Sequence, residues 1–145
     1  MKNIILVSAM IFMATSIHAE STAEEYKAIL NKYGKEKLIV MVAEAFNKDC
    51  PLTIDRYTKI VSVMPYSNRL SYQVSFVGIP YDKLKPIITP LKEKQKITGT
   101  NRMCTSEDSR VLLDAGLIIE YEFYTEDGRY LFSYDVDKSD CANIK

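Results

Sequence analysis

The chain has 145 residues, balances 19 basic against 19 acidic side chains, and carries ten tyrosines, three cysteines, a single histidine and no tryptophan. Near-neutrality argues against a nucleic-acid binder, which needs a basic footprint. With its one imidazole at His18, at the extreme N-terminus, the chain excludes histidine-based triads, general bases and metal ligands from any folded domain.

Residues 1–19 read as a secretory signal peptide: Lys2, an apolar run from Ile4 to Ile17, then the small Ala19 before Glu20. That run is too short for a membrane span of about 20 residues. Cleavage is expected after Ala19, with cleavage after Ser16 or retention as an anchor as the alternatives. Residues 20–145 then form a single α+β domain of 18 basic and 19 acidic residues, since Lys2 leaves with the leader. This places the protein in the periplasm or outside the cell, with no membrane insertion after cleavage.

Ser21-Thr22-Ala23-Glu24 has the pattern of a capping box and predicts a helix start. Tyr26, Ile29, Leu30 and Tyr33 give that helix an apolar stripe, Gly34 a stop or kink, and Leu38, Met41, Val42, Ala45 and Phe46 continue at helical spacing. Pro51 ends it. A strand is expected from about Tyr57 to Met64. After the turn Pro65-Tyr66-Ser67-Asn68 comes a second, in which Leu70, Tyr72, Val74 and Phe76 alternate with polar residues. A four-residue loop there would turn Val61 and Val63 inward. Beyond Pro80, Pro86 and Pro90 interrupt a helical pattern that restarts with Thr89 as cap and runs to about Thr98, where Gly99 loosens the chain. A short helix opens at Thr105-Ser106-Glu107-Asp108 and ends at Gly116.

The firmest element runs from Leu117 to Val136. Asp127-Gly128 predicts a two-residue type I′ hairpin turn, which pairs Thr125 with Tyr130, Phe123 with Phe132, Tyr121 with Tyr134 and Ile119 with Val136 on one apolar face. The expected architecture is a two-layer α+β sandwich: a four-stranded antiparallel sheet of two hairpins with the helices on one face, in the order α-β-β-α-α-β-β.

Cys50, Cys104 and Cys141 in an exported chain imply one disulfide and one free thiol. Cys104–Cys141 is the favoured pairing, and Cys50–Cys141 the other. On the outer face of the second hairpin the register sets Glu120 opposite Asp135 and Glu122 opposite Ser133, with Asp137 near Ile118. Opposed like charges destabilise a sheet, so this face invites an explanation. Solvation, with Lys59, Arg56 or Arg129 as neutralising cations, is the simplest; a basic protein partner is the sharper one. Tyr66 at its turn and Tyr124 on the outer face are candidate interface anchors.

The leading expectation is therefore a non-enzymatic protein-binding accessory of the cell envelope, of inhibitor, immunity or secretion-associated type. Its candidate surface is Glu120, Glu122, Tyr124, Asp135, Asp137 and Tyr66, and it needs no cofactor or metal. Calcium on the carboxylates is a lesser reading, because strand residues do not wrap a cation as loop ligands do. The alternative is a thiol-active enzyme using Cys50, or a carboxylate enzyme using Glu120 and Glu122, which project from one strand face at about the 5–5.5 Å spacing of retaining glycosidases.

Overall fold

A computed structural model describes residues 19–144, so residues 1–18 of the expected signal segment lie outside the described range. Helix α1 spans Ala19–Tyr33 and α2 spans Lys35–Asp49, separated by Gly34 at a φ of 81°. Only glycine adopts that backbone without strain, so the chain bends there. Since α1 is already helical at Ala19, the Ser21 cap is replaced by an earlier start. Leu38, Ile39, Val42 and Ala43 are buried on α2, while Ala45 is exposed and Met41 half-buried. The apolar face is thus rotated from the expected stripe.

Three strands follow, not two: β1 (Leu52–Asp55), β2 (Thr58–Tyr66) and β3 (Arg69–Phe76). The helical connection comprises the single turn α3 (Tyr81–Leu84), a 3₁₀ turn Lys85–Ile87, α4 (Ile88–Thr105) and α5 (Glu107–Asp114). Strands β4 (Ile118–Thr125) and β5 (Tyr130–Val136) and a 3₁₀ turn Lys138–Cys141 complete the chain. The sheet has five strands in the order β1-β2-β3-β4-β5, with β3 and β4 parallel and the other neighbours antiparallel. This corrects the four-stranded, all-antiparallel expectation. A four-residue β1 is too short to show alternation, and the helices return the chain to the end of the sheet where β3 began, so β4 enters alongside β3.

Bulges decide which residues point inward. Between Ile60 and Ser62 the β2–β3 register shifts, so Ile60 and Val63 are both buried while Val61 is 42% exposed. The expected inward Val61 is corrected by that extra residue. The connecting loop is Ser67-Asn68 alone, because Tyr66 pairs with Arg69. In the second hairpin Gly128 has a φ of 84° but Asp127 does not have positive φ, so the turn is not type I′. The Gly128 N–H donates to the Thr125 carbonyl and the Thr125 N–H to that of Arg129, making a three-residue loop. A bulge at Leu131 absorbs the extra residue. Tyr124 therefore faces Tyr130, and from Phe123–Phe132 outward the expected pairs stand.

Tyr72, Tyr121 and Tyr134 form one inner row across β3, β4 and β5, with ring centroids 5.2 and 5.3 Å apart, and Phe46 of α2 meets Tyr72 edge-on at 5.4 Å. Each such buried ring contributes roughly 2 kcal/mol by area alone. Helix α4 passes over Tyr134 at Gly99, where any Cβ would collide with the tyrosine hydroxyl. Gly99 is therefore a close-approach residue inside an unbroken helix, not the expected loosening point. Helix α5 is capped by Ser106, whose hydroxyl accepts from the Ser109 N–H. Cys104 and Cys141 form the disulfide, 37 residues apart, which stabilises by about 4 kcal/mol in the loop-entropy account.

Candidate functional site

With the aromatic rows, α2 and α4 on one side, alternate residues of the strands form the opposite face. The register resolves it into rows: Tyr66–Arg69–Ile118, Met64–Ser71–Glu120–Asp135, Ser62–Gln73–Glu122–Ser133, and Lys59–Ser75–Tyr124–Tyr130. Glu120, Glu122, Tyr124, Asp135 and Tyr66 all share this face. Asp137 does not work with them. Its carboxylate accepts from the Ser139 N–H and hydroxyl at 2.7 and 2.6 Å, capping the final 3₁₀ turn, and those bonds hold it below the usual carboxylate range.

Two cations stand on this face, Lys59 and Arg69. The one that meets the carboxylates is Arg69, which sequence reasoning did not select; its guanidinium lies 2.7 Å from Asp135 and 3.9 Å from Glu120. Arg129 instead pairs with Asp127 at 3.1 Å, and Arg56 stacks over Tyr57. The hydrogen bond to Asp135 holds the Arg69 proton more firmly than usual. The polar alternation of Arg69, Ser71, Gln73 and Ser75 was visible, but nothing in the sequence placed β3 beside β4.

Glu122 is differently situated. Its carboxylate accepts from the Tyr124 hydroxyl at 2.9 Å, and among the described residues no cation lies within ion-pair distance. Burial, then the bond to Glu122, pushes the Tyr124 phenol up to about 12. Gln73 accepts from Ser62 at 2.8 Å, and Tyr130 meets Tyr124 edge-on at 5.7 Å. Tyr66, at the rim, is 72% exposed.

Elsewhere, a groove of about 810 Å³ runs between α1 and α5, with Leu30, Val111 and Ala115 among its lining. Most of its rim charges pair with one another: Lys27 with Glu24 at 2.7 Å and Arg110 with Asp114 at 3.1 Å, with Glu107 also in the lining. Cys50 is half-buried, and burial raises its thiol pKa, the direction opposite to activation. No three carboxylates or cysteines converge as a metal site, and no helix is long and apolar enough to cross a membrane, among the described residues.

Solved structures share this fold. A protein of Pseudomonas aeruginosa inferred to be secreted aligns with a TM-score of 0.65 at 17% identity, covering 77% of this chain and 96% of its own. The type 2 secretion system pilotin EpsS of Vibrio vulnificus aligns at 0.56 and 13% identity over 84% of this chain and 96% of its own. The type II secretion system pilotin AspS of Vibrio cholerae does so at 0.52 and 13%, over 86% and 99%. At such identities the likeness is one of fold: α+β, with a five-stranded mixed sheet. No family model and no curated protein matches the sequence.

Proposed function

We propose that this is an exported, non-enzymatic accessory protein of the cell envelope, acting in a secretion apparatus by holding a protein partner on the outer face of its sheet. One observation carries the reading. Glu120, Glu122 and Asp135 share a helix-free face with two cations, Arg69 and Lys59, leaving one net negative charge beside Tyr66, Tyr124 and Met64, with Glu122 unpaired among the described residues. Such a surface suits a basic partner with aromatic contacts. The α1–α5 groove is a weaker site, because most of its rim charges are already paired. The fold shared with two pilotins of secretion systems supports the accessory role and an extracytoplasmic location.

The alternative, an enzyme using Cys50 or the Glu120/Glu122 pair, finds less support. Cys50 has its thiol raised, and Glu122 is engaged by Tyr124 on an open sheet face. Site-specific photo-crosslinkers test the proposal in the native envelope. Positions 66 and 124 should capture one common protein, position 83 on α3 should not, and Glu120→Lys with Glu122→Lys should abolish capture. Equal capture from position 83, or capture indifferent to the charge reversals, would refute it, and rapid alkylation of Cys50 in the folded protein would favour the enzyme.

A further inference from the structure

The two edges of the sheet are finished differently. Strand β1 pairs with β2 only as far as Ile60, so β2 from Val61 onward would be an open edge. It is closed instead by a side chain: Asn47 of α2 donates from Nδ2 to the Val63 carbonyl at 2.7 Å and accepts from the Val63 N–H at 2.8 Å. The next outward-facing residue on that strand is Pro65, which has no N–H to offer.

At the other edge the ladder leaves donors and acceptors unused. The Ile118 N–H donates towards β3, to Asn68, and the Thr125 N–H towards β5, to Arg129. Even-numbered residues of β4 therefore bond β3 and odd-numbered ones bond β5. On β5 this turns Phe132, Tyr134 and Val136 towards β4, and the N–H and C=O of Ser133 and Asp135 away from it. Among the described residues neither outward pair has a hydrogen-bond partner. The window is bounded: the Leu131 bulge ends it on one side, and on the other the Asp137 N–H is taken by Asp140 at 2.9 Å.

The outer face beside this window says what would fill it. Arg69 on β3 already reaches a carboxylate two strands away, Asp135 on β5, at 2.7 Å. Glu122, with no cation, stands one strand inside Ser133, whose short side chain leaves a path across. The same two-strand reach is therefore open to a long cation from outside. A second copy of this chain would instead set Asp135 beside Ser133 in a β5–β5 pairing, bringing an acid to Glu122, where like charges repel.

We propose that the partner adds a strand to the Ser133–Asp135 edge of β5 and sets an arginine or lysine beside Ser133 to pair with Glu122. This rests on the outer-face reading above and specifies how the partner is held: main-chain bonds supply affinity, and the cation supplies selectivity.

Amide-resolved NMR of the full folded domain tests it with a capped peptide of about nine residues, alternating threonine and valine around a central arginine. Adding it should slow exchange of the Ser133 and Asp135 amides about tenfold or more, and a peptide with glutamate at the centre should bind at least about tenfold more weakly. Glu122→Gln should erase that preference, and Ser133→Pro, which removes an outward N–H but no β4 bond, should abolish binding. Should Ser133→Pro fail to fold, Glu122→Gln decides alone. Peptide-induced shifts at Glu122 and Tyr124 without protection at Ser133 and Asp135 would overturn the edge while sparing the face. No response anywhere would overturn both. Protection of those amides in the peptide-free protein together with a dimeric mass would assign the edge to a second copy and overturn the proposal.

Discussion

Asn47→Ala removes the two hydrogen bonds that stand in for a neighbouring strand on β2. The Val63 side chain is fully buried, but its outward N–H and C=O lie on the strand edge, so removing Asn47 exchanges two protein bonds for bonds to water. At about 1 kcal/mol net per bond the variant should lose about 2 kcal/mol. For a domain of this size that is a fall of about 8 °C in Tm. Asn47→Asp keeps the acceptor for the Val63 N–H but places a carboxylate against the Val63 carbonyl, so at neutral pH it should be less stable than the alanine variant. Urea unfolding followed by circular dichroism gives the free energies, and exchange of the Val63 amide reports the bond directly. Loss below about 0.5 kcal/mol with Val63 still protected would show that the edge is closed by something other than Asn47.

Arg69→Met leaves Glu120 and Asp135 opposed without their cation. Asp135 is 44% exposed, so solvent screening limits the loss to about 1 kcal/mol, and high salt should recover part of it. Gly99→Ala drives a methyl into the Tyr134 hydroxyl and should cost about 1–3 kcal/mol in thermal unfolding, although alanine is the better helix former. Tyr124 should ionise near 12 in a 295 nm titration, and Glu122→Gln should lower that value. Because the folded value lies above the ordinary phenol value of about 10, its contribution to stability is complete below pH 10 and is lost as pH rises through 12.

Much of the sheet was legible because alternation is local. Tyr121, Phe123, Phe132 and Tyr134 declare their shared face by period alone, and their pairing survives a turn that was misread, since the longer loop and the Leu131 bulge offset one another. What was not legible depends on contacts distant in sequence. Gly99 reads as a breaker until Tyr134 is seen beneath it, and β1 is too short to announce itself. Of the candidate site, the carboxylates and Tyr124 were found from the hairpin register. Asp137 was grouped with them because its capping of Ser139 depends on a 3₁₀ turn that no periodicity signals. Arg69 was missed because its partners lie on strands joined to β3 only by a parallel pairing across the helical connection.

The finish of the two edges carries a further consequence for binding. A chain selected only against edge-to-edge association would treat both alike, with short strands, proline, inward charges or lysine. Here β1 has four residues and Pro65 and Asn47 guard β2, whereas β5 has seven residues and neither proline nor lysine. It is also held in place. The Cys104–Cys141 disulfide ties the turn after β5 to α4, and Gly99 lets α4 lie directly on Tyr134. The outward groups of Ser133 and Asp135 thus project from a strand fixed from both its end and its inner face, so little ordering is needed on this side when a strand is added. On the proposed reading, acids along the outer face would repel the chain's own copy and attract a basic segment, so that the open edge of β5 would be selective by charge.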